Sequence, residues 1–464
     1  MNNKHNRSSF SGGIGFVLAA AGSAVGLGNI WRFPYLAARH GGGTFIFVYI
    51  IMALTFGFAL LTTEVALGRH TKQGPLTAFS VVHPKFRFNG FLSWLVPIII
   101  LPYYCAIGGW VLKYLFAFIT GSGRAAAEDG YFTGYITGTI PPVIWLIVFL
   151  GLTAFVVFSG VDKGIEKYSR ILMPILLILI IGISIFSITL SHTDDSGVTR
   201  TGLQGLSIYL IPDFSGITIK EFIQLLLDAV GQLFFSISVA MGIMIAYGSY
   251  VKDDINLMKS INMIELFDTI VALIAGMMIV PAVYTFMGRD GMTAGPGLMF
   301  VSLPKVFAAM GGVGNIIGVI FFITVTFAAV TSSVSIMEAI VTGLMDKWKL
   351  SRMKSGIIAT VYALVVGMIV CFGYNLLYFE YTLPNGVVAQ VLDVMDYISN
   401  SVLMPLSALI TCILFGWVLK PQFIIDEVTK DGSKFGRKHL YIIMVKFVAP
   451  AFMLVFLLQA IGII

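Results

Sequence analysis

The stretch AGSAVGLGNIWRFP, Ala21 to Pro34, sets Gly22, Gly26 and Gly28 around a polar Asn29 and follows them with Arg32 and Pro34. All of this lies inside an otherwise apolar run. Glycines there let another group approach the backbone closely, and a helix broken at this point frees backbone carbonyls on one side and amides on the other. Carbonyls joined by hydroxyl and amide oxygens suit a hard monovalent cation such as sodium. Free amides at the positive end of a half-helix suit a carboxylate. Helix packing through small residues would account for GSAVG by itself, but not for Asn29 and Arg32.

A second such stretch is GQLFFSISVAMGIMIAYGSY, which carries Gln232, Ser236, Ser238 and Gly242 through its centre. A third, FAAVTSSVSIME, has three consecutive hydroxyls at Thr331, Ser332 and Ser333. Back-bonding to a preceding carbonyl would make those cheap in an apolar helix, but beside two broken helices they can complete the oxygen shell of a cation. Arg32, Glu64, Asp228, Asp268, Glu338 and Asp396 are charges set in apolar runs, where ionisable groups are functional candidates by default. Arg32 and Asp396 could pair above a central site, and Arg7 and Asp346 below it, each pair as a gate or equally as a static structural salt bridge. Two gates that do not open together would meet the requirement for alternating access.

The elements that must position these groups are membrane spans. The chain has 464 residues, 58% hydrophobic and only 11% charged, and apolar runs of spanning length recur throughout. Hydropathy predicts about eleven spans, centred roughly at residues 25, 56, 105, 149, 179, 236, 271, 331, 363, 404 and 452. About twenty of the lysines and arginines fall on one side if the amino terminus is cytoplasmic, and about five on the other. The longer connections, 121–140, 191–218 and 288–313, are rich in Gly, Thr, Ser and Pro and carry no separate domain. The first apolar stretch has a signal-like look, but cleavage there would remove half a span. A net charge of +6 is too small for the length to suggest a nucleic-acid partner. Cys105, Cys371 and Cys412 are scattered, which argues against disulfides or a zinc site. The six histidines are isolated and are expected to be solvated or interfacial. No nucleophile–base set is visible, so an enzyme is disfavoured. Spans 1 and 6 are both broken, five spans apart, as in transporters built from inverted repeats.

With these residues assembled, the chain resembles the sodium:neurotransmitter symporter family, in particular its bacterial amino-acid transporters of eleven spans. AGSAVGLGNIWRFPYLAARHGGGTF is similar to the family's first-span signature. DAVGQLFFSISVAMG, VTSSVSIME and the Gly164–Pro174 spacing in GIEKYSRILMP are similar to further family motifs. The resemblance implies an all-α integral membrane protein of the leucine-transporter type. One transmembrane domain over 1–464 would hold two inverted five-helix repeats (roughly 10–190 and 215–420) and a final helix (roughly 440–463), with helices 1 and 6 discontinuous.

It further implies two sodium ions. The first site would use Ala24, Asn29, Ser236 and Asp268. The second would use Gly22, Val25, Ala328, Thr331 and Ser332. The substrate carboxylate would meet the amides of Leu27 and Gly28 and the Tyr104 hydroxyl. Its ammonium would meet Ala24, Phe235, Ser236 and Ser238. Gly26, Ser332, Ile100, Met241 and Ile336 would complete the pocket, with Arg32–Asp396 as the external gate and Arg7–Asp346 as the internal one. Asp268 stands where many relatives have Asn, and Met241 where several bacterial relatives have Phe. The Gly164–Pro174 pair would mark, by resemblance, a segment of span 5 that unwinds to let water reach the inner sodium site. The expected function is sodium-coupled, chloride-independent import of neutral, large hydrophobic or aromatic L-amino acids across a bacterial cytoplasmic membrane. Transport of another small amine, or a channel or receptor on the same scaffold, is the alternative.

Overall fold

The computed structural model describes residues 9–194, 196–292, 296–384 and 386–463. Among these, nine unbroken helices are long and apolar enough to cross a membrane: Gly43–Thr71, Pro84–Ile119, Pro141–Phe158, Val161–Ile188, Leu257–Met287, Gly312–Trp348, Arg352–Phe372, Val391–Val418 and Lys438–Ala460. They are spans 2–5 and 7–11. Span 1 is a bent pair, Gly13–Ala24 and Gly28–Arg39, with 54° between its halves. Span 6 is divided into Ile219–Ser236 and Ile243–Gly248. Counted with these two broken spans, the helices of the described residues correspond to the eleven apolar runs.

Local chemistry accounts for most boundaries. The second half of span 1 opens with a wide π turn at Gly28–Arg32 and continues from Phe33 with Pro34 in its first turn, where a missing N–H does no harm. Span 6 starts at a reciprocal capping box between Thr218 and Glu221. Outward faces of the spans are apolar. Ile178, Ile185, Phe155 and Ile316 are all exposed, as lipid contact requires. Burial instead concentrates on the broken spans and on spans 2, 3, 7 and 8.

The side opposite the basic loops carries more order than its composition predicts. It has short helices at Tyr131–Ile136, Gly202–Leu210 and Leu303–Ala309. Two small antiparallel hairpins pair Ser191–Thr193 with Thr199–Thr201 and Tyr381–Thr382 with Val388–Ala389. Gly202–Leu210 is pinned to span 7 by Tyr209, whose hydroxyl donates to the Leu273 carbonyl at 2.9 Å. A Cβ on Gly276 would lie 2.0 Å from that hydroxyl. Gly276→Ala should therefore destabilise the protein by about 1–3 kcal/mol through overpacking. A lowered unfolding midpoint in detergent, absent from Gly151→Ala in open space, is the expected reading.

On the basic side, the loops are clasped together. Asp253 accepts from Lys72 at 2.7 Å and Lys430 at 3.0 Å. The bond from Lys72 does most to hold its carboxyl down at about 2. This clasp is fully present above the ordinary carboxylate range and is lost only as pH falls toward 2.

Candidate functional site

The two breaks meet at the centre of the bundle. Span 1 stops at Ala24, and its Val25 amide closes the last turn onto the Ala21 carbonyl at 2.7 Å. Asn29 then folds back, accepting the Gly26 N–H on its side-chain oxygen at 3.2 Å. The break in span 6 is built differently. Ser238, Ala240 and Gly242 all have positive φ (54°, 61° and 71°), a region that side chains other than glycine rarely adopt. Such strain persists only where surroundings impose it, and here neighbouring spans do so. The Ala240 N–H donates to Glu64 of span 2 at 2.7 Å. The Ser238 hydroxyl donates to the Ser23 carbonyl at 3.1 Å. Glu64 is a charge expected to be functional, and what it does is brace the unwound strand.

Beside the breaks, Asn29, Ser236 and Asp268 form one buried cluster. The Asn29 side-chain amide donates to Asp268 at 2.8 Å and to Ser236 at 3.0 Å, and the Ser236 hydroxyl donates to Asp268 at 2.8 Å. The Tyr49 hydroxyl reaches Ser236 at 3.3 Å and Asp268 at 3.4 Å. All four residues are buried. Around Asp268 every neighbour named here is neutral, so the cluster suits a cation.

A second oxygen cluster lies between spans 1 and 8. The Ser332 hydroxyl is 3.1–3.5 Å from the carbonyls of Gly22, Ser23 and Val25. Thr331 turns its hydroxyl toward the Ala328 carbonyl at 3.1 Å. Gly22 permits this approach, since a Cβ there would sit 3.3 Å from the Thr331 Cβ.

Between the clusters is a narrow cavity of about 20 Å³. Its polar wall is Ser23, Gly26, Ser238, Ser332 and Tyr104, and its apolar wall Ile100, Phe235, Met241, Ile243 and Ile336. Eight of these were expected from the sequence; Ser23 and Ile243 were not. Leu27 instead lines the vestibule above, and its amide lies 3.5 Å from the Tyr104 hydroxyl. A Cβ on Gly28 would lie 2.4 Å from the Phe235 ring, so Gly28 sets that ring's position. Ala24 and Ser236 sit at the break itself.

Above lies a vestibule of about 420 Å³, floored by Tyr104 and Phe235 and lined higher up by Arg32, Asp228 and Asp396. The pairing expected of Arg32 with Asp396 is not made among the described residues. The Asp396 carboxylate is instead held by Asn400 at 2.6 Å and Tyr103 at 3.1 Å, which leaves the passage between the two open. Arg7 lies outside the described residues, while Asp346 accepts the Gly74 amide at 2.5 Å.

The basic side is closed by other contacts. Ser11 and Arg170 both bond to Glu166, Arg352 forks onto Glu338, and buried Arg69 pairs with Glu427 at 2.7 Å. Of the histidines, His40 departs from the solvated reading, being largely buried against Asp228 at 2.7 Å; His70 is exposed and lies 3.1 Å from Glu427. The three cysteines are free and buried.

A profile of the sodium:neurotransmitter symporter family matches residues 7–124 and 137–463. The chain belongs to this family. It is 31% identical over 458 residues to the sodium-dependent transporter YhdH of Bacillus subtilis, covering 97% of each chain. To the human sodium- and chloride-dependent GABA transporter 2 it is 27% identical over 72% of its length and 61% of the relative's. Among solved structures, MhsT in complex with L-phenylalanine superposes with a TM-score of 0.85 at 33% identity, over 98% of this chain and all of that one. The protein is thus a sodium-dependent symporter with a leucine-transporter-type fold, a multi-pass membrane protein whose relatives are transporters and not enzymes.

Proposed function

We propose that this symporter imports large neutral L-amino acids, aliphatic or aromatic, with two sodium ions and without chloride. The observation that carries the reading is one small cavity in which unwound backbone from two broken spans faces an apolar wall. The first surface matches a zwitterion in its donors and acceptors, and the second matches a hydrophobic side chain in its apolarity. The amides of Leu27 and Gly28 and the Tyr104 hydroxyl take the carboxylate. The carbonyls at Ala24, Phe235 and Ser236 and the Ser238 hydroxyl take the ammonium. Ile100, Met241 and Ile336 take the side chain, with Met241 flexible enough to adapt to different shapes. The likeness to a transporter solved with L-phenylalanine supports the same class of substrate.

Sodium is carried as co-substrate. Ala24, Asn29, Ser236 and Asp268 hold the first ion together with the substrate carboxylate. Gly22, Val25, Ala328, Thr331 and Ser332 hold the second. A tenfold sodium gradient gives about 1.4 kcal/mol per ion and 100 mV about 2.3. Two ions then supply about 7 kcal/mol, enough for roughly 10⁵-fold accumulation. Arg32 with Asp396, and Arg7 with Asp346, act as outer and inner gates. The excess of Lys and Arg in the loops of one side supports an amino terminus in the cytoplasm, and similarity to sodium-dependent transporters of bacteria supports a bacterial cytoplasmic membrane.

In proteoliposomes, sodium-driven uptake of labelled leucine should be competed by phenylalanine, tyrosine and tryptophan far better than by glycine or alanine. Glycine and alanine competing best would overturn the substrate class. Absence of counterflow would point to a receptor on this scaffold.

A further inference from the structure

On the basic side, away from the broken spans, a groove of about 480 Å³ runs between the short helix Pro75–Val82, the start of the long helix of span 3 and the end of span 8. Arg87, Phe91 and Trp94 stand at i, i+4 and i+7, on one face of the helix that begins at Arg87. Cation, phenyl ring and indole therefore follow one another from the membrane surface inward. Span 8 contributes Lys347 and Trp348 from its last turn.

This wall is built to fit. The Trp94 indole donates to the Ile340 carbonyl at 3.2 Å. Gly343 makes room for it, since a Cβ there would lie 2.3 Å from the indole nitrogen. The two indoles lie 5.9 Å apart. Phe88, Phe91 and Trp348 are exposed by 60, 44 and 53%, so the groove opens sideways toward lipid. Neither Arg87 nor Lys347 pairs with a carboxylate among the described residues.

We propose that this groove binds a single anionic phospholipid from the leaflet on the basic side. Its phosphate lies between Arg87 and Lys347, and an acyl chain runs along Phe91 and Trp94. A guanidinium fork and an ammonium match phosphate oxygens. Indoles are favoured at headgroup level, and basic recesses between cytoplasmic helix ends suit anionic headgroups. A zwitterionic headgroup would add a cation beside two existing ones. That charge argument selects phosphatidylglycerol or cardiolipin over phosphatidylcholine.

The test is lipid retention by the full-length protein in detergent, read by native mass spectrometry with phosphatidylglycerol and phosphatidylcholine at equal concentration. We expect at least about a tenfold preference for phosphatidylglycerol, and its loss by a similar factor in Arg87→Gln/Lys347→Gln. Both substituted side chains are exposed, and a monodisperse gel-filtration profile will show that the variant folds. Lys354→Gln, an exposed charge on the same side outside the groove, should retain lipid like the parent. Equal retention of the two lipids overturns the proposal, as does equal loss in the Lys354 variant. Displacement by soluble glycerol phosphate would mean that the groove takes free phosphate. A dimer that dissociates in the double variant without change in lipid would mean that a second copy covers it. Either result also overturns the proposal.

Discussion

Replacing Asp268 by Asn will raise the sodium concentration for half-maximal uptake by roughly 10- to 1000-fold, or make uptake depend on an external anion. Asp268 is fully buried and takes hydrogen bonds from Asn29, Ser236 and Tyr49, all of them neutral. A carboxylate so placed is stable only with a cation beside it. At an effective dielectric constant of about 20, a unit charge 4 Å from a cation is worth about 4 kcal/mol, the upper end of that range. The Asn oxygen left in the variant recovers part of it. In the proposed function the substrate carboxylate would also compensate sodium charge, but it would depart with the substrate, whereas Asp268 is fixed. The parent protein should therefore transport equally when gluconate replaces chloride at constant sodium, and Asp268→Asn should not. A parent that loses most of its activity in gluconate would show that chloride, and not Asp268, balances the ions.

Legibility of the site in the sequence differs between its two halves. The break in span 1 is written in local chemistry. Three glycines, an asparagine and a proline are poor choices for an uninterrupted apolar helix, and the structure bends there by 54°. The break in span 6 could be located from Ser236, Ser238 and Gly242, but its form could not. Ser238 and Ala240 are left-handed because Glu64 and Ser23 hold them, and residues 176 and 215 positions away are invisible to local propensity. Tyr49 was missed for a related reason. In sequence it is one aromatic in an apolar run, and only the packing of span 2 against spans 6 and 7 turns its hydroxyl to Asp268.

Other omissions did leave a signal. Thr201 with Gln204 and Thr218 with Glu221 have the spacing of capping boxes within or at the end of the Gly-, Thr-, Ser- and Pro-rich connection 191–218, and each starts a helix. The unmade Arg32–Asp396 pair has a cause that single charges do not announce. Asp396 is only partly buried beside the vestibule, and Tyr103 and Asn400, on spans 3 and 10, supply its carboxylate with neutral donors, so it is held without direct contact to Arg32. With the basic side locked through Glu166, Glu338 and Glu427, the cavity is reached from the vestibule.

Ser332→Ala will weaken sodium binding by about tenfold, a consequence of removing one hydroxyl oxygen from the second proposed ion site. The hydroxyl sits among the carbonyls of Gly22, Ser23 and Val25. Toward those carbonyls it acts as a donor, and toward a cation it offers a lone pair. At this proposed site a monovalent sodium would be held by neutral oxygens alone, so each would be a large share of the shell and no charged ligand would cover for its loss. The effect should fall on sodium affinity more than on substrate affinity at saturating sodium, because the apolar wall of the cavity is untouched. Ser332→Thr keeps the oxygen and separates loss of a ligand from disturbance of packing between spans 1 and 8. Equilibrium titration of sodium-dependent binding in choline-balanced buffer measures both variants. An unchanged titration in Ser332→Ala would remove this residue from the ion site and leave its hydroxyl as a tie between the two spans.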